Sequence, residues 1–293
     1  MDVNFACIAG EEIYRQYDAR KIVGQNIGAR PTPFGQTGEI FLVPGDCPFY
    51  LLPRYGVGMK KVAPRKVSSR ANMYALKDLG VQCVLAWGPG GAVSHTIGIG
   101  DLVICSDLID RTFLRNKTFF EDSPLGFLRQ FPVFCQKLRR TAVSVISEMH
   151  LPLHDGGTVV VTEGPRLETP AEIRVLAHHG AEIVTHTFVP ETFLAKELQM
   201  CYAPVCYIVN YAETGSRQRP FMAGGLFGGL TAGNDSQRLS ASLAAMGEIL
   251  SRMACALADD DTPCECGKTM AANIAEYGLS EDWREWFRDQ TQQ

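Results

Sequence analysis

The chain has 293 residues, 46% hydrophobic and 20% charged, a composition that supports a packed globular core. Its formal net charge of −4 excludes the basic footprint of a nucleic-acid or anionic-membrane binder. The N-terminus, Met1-Asp-Val-Asn-Phe-Ala, lacks the cationic region and apolar core of a signal peptide, and no apolar run reads as a membrane span. The expectation is a cytoplasmic protein with no nucleic-acid or membrane partner.

In chain order, Asn4–Ala9, Glu39–Val43 and Phe49–Pro53 read as strands. A helix is predicted over Lys66–Leu79, where Val67, Ala71, Tyr74, Ala75 and Leu76 recur at helical spacing. Cys83–Trp87 reads as a strand running into the glycine-rich Gly88-Pro-Gly-Gly91, and Leu102–Asp107 as another. A helix follows over Gly126–Met149, then a strand at Thr158–Thr162. The helix Pro170–His179 begins with proline in its first turn, Thr169 as N-cap and Glu172 close behind. Ile183–Thr187 and Ala203–Asn210 complete the strands, with a helix at Pro190–Glu197 between them. Two glycine pairs, Gly224-Gly225 and Gly228-Gly229, lie in a stretch, Gly215–Gly233, expected to cover a ligand. The last long helix is Ser236–Ala258. This alternation predicts an α/β protein with helices flanking a largely buried sheet. It forms one domain, residues 1–293, with a polar C-terminal tail from about 262.

Of ten cysteines, Cys7, Cys83, Cys105, Cys201 and Cys206 sit in or beside apolar strand-like runs, where cysteine behaves as a small hydrophobe. Cys264 and Cys266 form a CxC in a turn-rich segment. One CxC supplies two ligands where a structural zinc ion takes four, so no metal is expected.

Two polar side chains arrive at strand ends, where open α/β sheets place their ligands. Glu168 follows Thr158–Thr162 in the segment Glu163-Gly-Pro-Arg-Leu-Glu-Thr-Pro; Asn210 ends the strand before Tyr-Ala-Glu213. A carboxylate that accepts from a ring N–H and a carboxamide that donates to a carbonyl together suit a 6-oxopurine.

Several ordered motifs carry a family resemblance. They are Lys66-Val-x-x-x-Ala-Asn-Met-Tyr-Ala-Leu-Lys77, Gly100-Asp101-Leu-Val, Ile109-Asp-Arg-Thr112, Glu163-Gly-Pro-Arg and Pro190-Glu-x-x-x-Ala-Lys-Glu197. From about Phe5 to Ala258 the chain resembles the trimeric purine nucleoside phosphorylases and methylthioadenosine phosphorylases. The resemblance implies a mixed, twisted central sheet flanked by helices, assembly into homotrimers or hexamers, and phosphorolysis of a nucleoside, with phosphate as co-substrate and no cofactor or metal.

By that resemblance, Asn210 would stabilise the departing base as the catalytic group, and Glu168, Asn210 and Ala212 would face the base. Asn210 and Ala212 stand where the methylthioadenosine branch has aspartates, and Glu168 where it has a small hydroxyl residue. These changes favour hypoxanthine or guanine over adenine by about 2–4 kcal/mol. His186 and Tyr55 would face the ribose. Arg54, Thr187, Gly88 and Glu11 occupy the phosphate-binding positions, but Glu11 replaces a hydroxyl residue with a like charge and Pro89 removes an N–H donor. Arg166 and Glu163 are expected to pair near the pocket, and Arg111 and Arg115 to serve a subunit interface. The principal reading is a purine nucleoside phosphorylase-like enzyme acting on a 6-oxopurine nucleoside, including a 5′-methylthio one. The alternatives are a phosphate-independent nucleoside hydrolase and an inactive purine-binding protein.

Overall fold

Five-residue runs such as Phe-Ala-Cys-Ile-Ala, buried at every position, can only be strands covered on both faces, and they make the centre of the molecule. A computed structural model describes residues 3–10, 24–57, 62–213, 224 and 235–292, with the side chains of 288–292 excepted. Glu11 and nearly all of the glycine-bracketed stretch 215–233 therefore lie outside the described residues.

The strands are β1 (Phe5–Ala9), β2 (Gln25–Gly28), β3 (Pro31–Thr32), β4 (Gly35–Gln36), β5 (Ile40–Val43), β6 (Phe49–Pro53), β7 (Cys83–Ala92), β8 (Leu102–Ile104), β9 (Asp107–Arg111), β10 (Leu153–Asp155), β11 (Thr158–Thr162), β12 (Ile183–Thr185) and β13 (Cys201–Tyr211). The helices are α1 (Ser69–Asp78), α2 (Gln136–Glu148), α3 (Pro170–His178), α4 (Glu191–Glu197), α5 (Asp235–Ala258) and α6 (Ala271–Tyr277). Eleven strands form one mixed sheet in the order β10-β8-β13-β7-β1-β6-β5-β2, with β12, β11 and β9 branching from β7; β3 and β4 form a separate hairpin.

The branch positions the site. β7 runs parallel to β1 from Cys83 to Trp87, then parts from it and pairs antiparallel with β12 at Gly91 and Ala92. β13 stays parallel to β7 up to Tyr211 beside Ala92, with a register shift between Ile208 and Asn210 that sets Asn210 opposite Gly91. The strand expected over Cys83–Trp87 is longer than its apolar run: β7 continues through Gly88–Gly91 to Ala92. A Cβ at Gly90 would collide with Cys206 Sγ and Ile183, so glycine here permits close strand packing.

Other differences have equally local causes. The predicted helix from Gly126 starts only at Gln136, because Phe127–Cys135 is irregular and contains Pro132. Leu102–Asp107 divides into β8 and the start of β9, which pair with different neighbours. α3 has the expected cap, completed as a box in which Thr169 and Glu172 bond each other's backbone N–H groups. α5 has the length and mean hydropathy of a membrane span, yet Met246, Ile249, Leu250 and Met253 are buried, and it packs on α2 and β13. The polar tail is not loose: Trp286 and Phe287 are buried, and the Phe287 ring meets Phe34, Phe119 and Phe120 at centroid distances of 5.2–5.4 Å. Cys47, between β5 and β6, is disulfide-bonded to Cys255 of α5.

Candidate active site

The branch gathers the ends of β6, β11, β12 and β13 around the glycine-rich half of β7. On one side, Thr162 ends β11 and links two expected residues. Its Oγ1 lies 2.6 Å from Glu168 Oε1 and 2.9 Å from His186 Nδ1. A carboxylate only accepts, and the threonine hydroxyl has a single proton, so that proton goes to Glu168. His186 must then carry its proton on Nδ1, leaving Nε2 of the neutral ring as an acceptor. Burial lowers the His186 pKa below its ordinary 6.5, with Glu168 opposing and Arg115 reinforcing the shift. Asn210 is buried at the end of β13 and packs over Gly91, where a Cβ would stand 3.3 Å from its Nδ2. One of its N–H groups donates to the carbonyl of Tyr211 at 2.8 Å. Ala212 packs in a small apolar cluster with Val93, Val160 and Val184, and its methyl offers no hydrogen-bond acceptor.

On the other side, the β7–β12 register continues to bring Thr187 opposite Gly88. A Cβ at Gly88 would lie 2.6 Å from Thr187 Oγ1, so only glycine fits. Thr187 Oγ1 is 2.9 Å from Thr185 Oγ1, which in turn donates to the Pro89 carbonyl at 2.6 Å. The next residue, Phe188, has φ of 77°, a costly conformation for a bulky side chain and one that concentrates at functional sites. Arg54, following β6, lies 5.9 Å from the Phe188 ring centroid. Arg54 Nε donates to Glu191 Oε1 at 3.0 Å, and Nη1 to the Trp87 carbonyl at 3.4 Å. Burial alone would lower the Arg54 pKa, but Glu191 overrides it and the net shift is upward. Arg54 Nη2 is buried with no hydrogen-bond partner among the described residues. Tyr55 adjoins Arg54 on a cleft of about 280 Å3, lined also by Lys66 and Asn72.

The expected residues Glu168, His186, Thr187, Asn210, Gly88 and Arg54 are thus brought to one place. Glu11 lies outside the described residues. Two pairings differ from expectation. Glu163 pairs with Arg115, and Arg166 instead makes a two-pronged bond to Glu172. Arg115, expected at a subunit interface, is buried as a clasp: its guanidinium donates to the carbonyls of Thr162, Glu163, His186 and Val189. It holds the β11 and β12 ends together. Burial would raise the Glu163 pKa, but the Phe113 and Leu114 N–H groups and Arg115 bring it down. Sequence reasoning missed Thr162, Thr185 and Glu191. A threonine closing the hydrophobic run Thr158–Thr162 was visible as a strand-end hydroxyl; the Glu191 partnership, 137 residues from Arg54, had no local signal.

These elements recur in known proteins. The chain belongs to the phosphorylase superfamily, whose family model matches residues 39–235. It is accordingly an enzyme of the pentosyl-transferring kind. Among similar proteins, the 6-oxopurine nucleoside phosphorylase of Pyrococcus furiosus is 37% identical over 188 residues, covering 62% of this chain and 71% of the relative. A probable S-methyl-5'-thioinosine phosphorylase of Methanothermobacter thermautotrophicus is 39% identical over 209 residues, 71% of each chain. In structure, methylthioadenosine phosphorylase from Schistosoma mansoni, in its apo form, matches with a TM-score of 0.74 at 25% identity, covering 93% of this chain and 96% of that one.

Proposed function

We propose that this chain cleaves the N-glycosidic bond of a 6-oxopurine nucleoside with phosphate. The observation that carries the proposal is the Glu168–Thr162–His186 relay at the ends of β11 and β12, together with the buried Asn210 near the end of β13. Glu168 Oε1 is occupied by Thr162, and Oε2 would accept the N1–H that inosine and guanosine carry and adenosine lacks. Asn210 would donate to N7 or O6 as the C1′–N9 bond breaks and its electron pair moves onto the purine. His186 Nε2 would accept from a ribose hydroxyl, with Tyr55 beside the sugar. Phosphate oxygen would bond to C1′ from the side of Gly88 and Thr187, with Arg54 Nη2 as its cationic donor. Names among the relatives support both the 6-oxopurine base and a 5′-methylthio group on the sugar. The same reading makes the protein a cytoplasmic homotrimer or hexamer whose reaction needs no cofactor or metal, with phosphate as co-substrate.

One observation favours hydrolysis as the second reading. Glu191 already neutralises Arg54, which weakens its pull on phosphate. The test of base choice is release from inosine, guanosine, adenosine, methylthioinosine and methylthioadenosine, followed by chromatography. Faster release of hypoxanthine and guanine supports the Glu168 assignment; preferential adenine release overturns it.

A further inference from the structure

Away from the nucleoside site, four cysteines from three parts of the chain meet at one corner. Cys135 immediately precedes α2, Cys201 opens β13, and Cys264 and Cys266 flank Glu265 at the short turn Glu265–Lys268. All four sulfurs lie within 4.8 Å of one another, and those of Cys201 and Cys264 are 3.2 Å apart. A tetrahedral zinc ion with bonds of about 2.3 Å sets its sulfurs roughly 3.8 Å apart, within this range. All four are free thiols, two buried and two half-buried.

We propose that Cys135, Cys201, Cys264 and Cys266 form a tetrathiolate site for one structural Zn2+, which fastens the C-terminal segment to the body of the enzyme. The CxC supplies only two ligands, but the fold delivers the other two from residues distant in sequence.

The surroundings fit such a site. Its backbone is already fixed: Cys135 N donates to the Tyr202 carbonyl at 2.9 Å and Cys201 N to the Gln82 carbonyl at 2.8 Å. Thr269 Oγ1 ties the turn carrying the CxC to the Lys196 carbonyl at 2.6 Å. Four thiolates and one Zn2+ carry a net charge of −2. Lys196 lies within electrostatic reach of Cys266, and Lys137 follows Cys135 by two residues. Binding exchanges four S–H bonds for four S–Zn bonds and releases four protons to solvent, with no change of oxidation state. Two disulfides would instead need an oxidant. Cys83 is a built-in control: it neighbours Cys201 in the β7–β13 register but is not among the four.

The test uses the full chain, expressed with zinc, kept reduced and purified without chelator. Metal is measured by plasma mass spectrometry and thiols by titration after unfolding. The proposal predicts one zinc per chain, released as the four thiols are blocked by a mercurial. Co2+ loaded in its place should give the absorption of a tetrahedral tetrathiolate. Cys264→Ser/Cys266→Ser should lower zinc content at least about tenfold, and Cys83→Ser should leave it unchanged. If the double variant does not fold, the Co2+ spectrum of the unaltered chain decides. Absence of zinc together with no thiolate spectrum in the reduced protein overturns the site, as does a zinc-free chain with disulfides mapped among these four cysteines. Loss of zinc in Cys83→Ser overturns the ligand assignment.

Discussion

Replacing Glu191 with alanine should destabilise the protein more than almost any other single change near the site. Arg54 and Glu191 are 4% and 2% exposed, with Nε and Oε1 3.0 Å apart. Taking about 4 Å between charge centres and an effective dielectric near 20, their attraction is about 4 kcal/mol. Desolvation offsets much of this, and Arg54 Nη2 and Glu191 Oε2 have no partner among the described residues, so the pair's net worth is small. Breaking it is another matter. Without Glu191 the buried guanidinium loses its carboxylate partner and keeps a long bond to the Trp87 carbonyl and the contact with the Phe188 ring, and the expected cost is about 3–5 kcal/mol. Removing both charges in Arg54→Met/Glu191→Leu should recover most of that loss. Equilibrium urea unfolding at fixed protein concentration, pH 7 and no phosphate measures the cycle. If Glu191→Ala costs less than about 1 kcal/mol, or if the double variant is as unstable as the sum of the singles, the reasoning from burial fails.

Three further predictions concern separate features. Burial raises the Glu197 pKa to about 7 against bonds from Thr118 and Phe119 that lower it, so the folded state holds this proton more tightly than the unfolded state. Its stabilising contribution is therefore full below pH 4.5 and is lost by about 3 kcal/mol as pH rises to 7; Glu197→Gln should flatten that slope in unfolding curves taken across the window. Glu168→Gln should lower kcat/KM for inosine roughly 10–100-fold, the value of a charge-assisted bond, while adenosine turnover changes little; equal losses on both substrates would remove Glu168 from base recognition. Because burial lowers the His186 pKa, activity relying on its neutral ring should persist down to pH 6.5 and fall only below it, with that acid limb absent from the pH profile of His186→Gln.

Much of the fold was legible because its signals are local. Runs such as Phe5–Ala9 and Thr158–Thr162 are too apolar to be anything but buried strands, and Thr169-Pro170 with Glu172 announces a helix start. Strand-end polar residues pointed to Glu168 and Asn210, and the family resemblance to His186. What escaped depends on long-range pairing. The continuation of β7 through Gly88–Gly91 follows from β12 and β13 closing on it, and Gly-Pro-Gly-Gly by itself reads as a loop. The tail's Trp286 and Phe287 are too sparse to signal docking, yet they complete an aromatic cluster with Phe34 and Phe119. Arg115 and Glu191 act through partners 47 or more residues away.

The measurement that bears most directly on the proposed chemistry is phosphorus NMR of the protein with inosine or methylthioinosine in phosphate buffer. The account predicts a pentose 1-phosphate signal growing in step with free hypoxanthine, and no base release when phosphate is omitted. Hypoxanthine appearing at an equal rate without phosphate, with free sugar and no new phosphorus resonance, would contradict it.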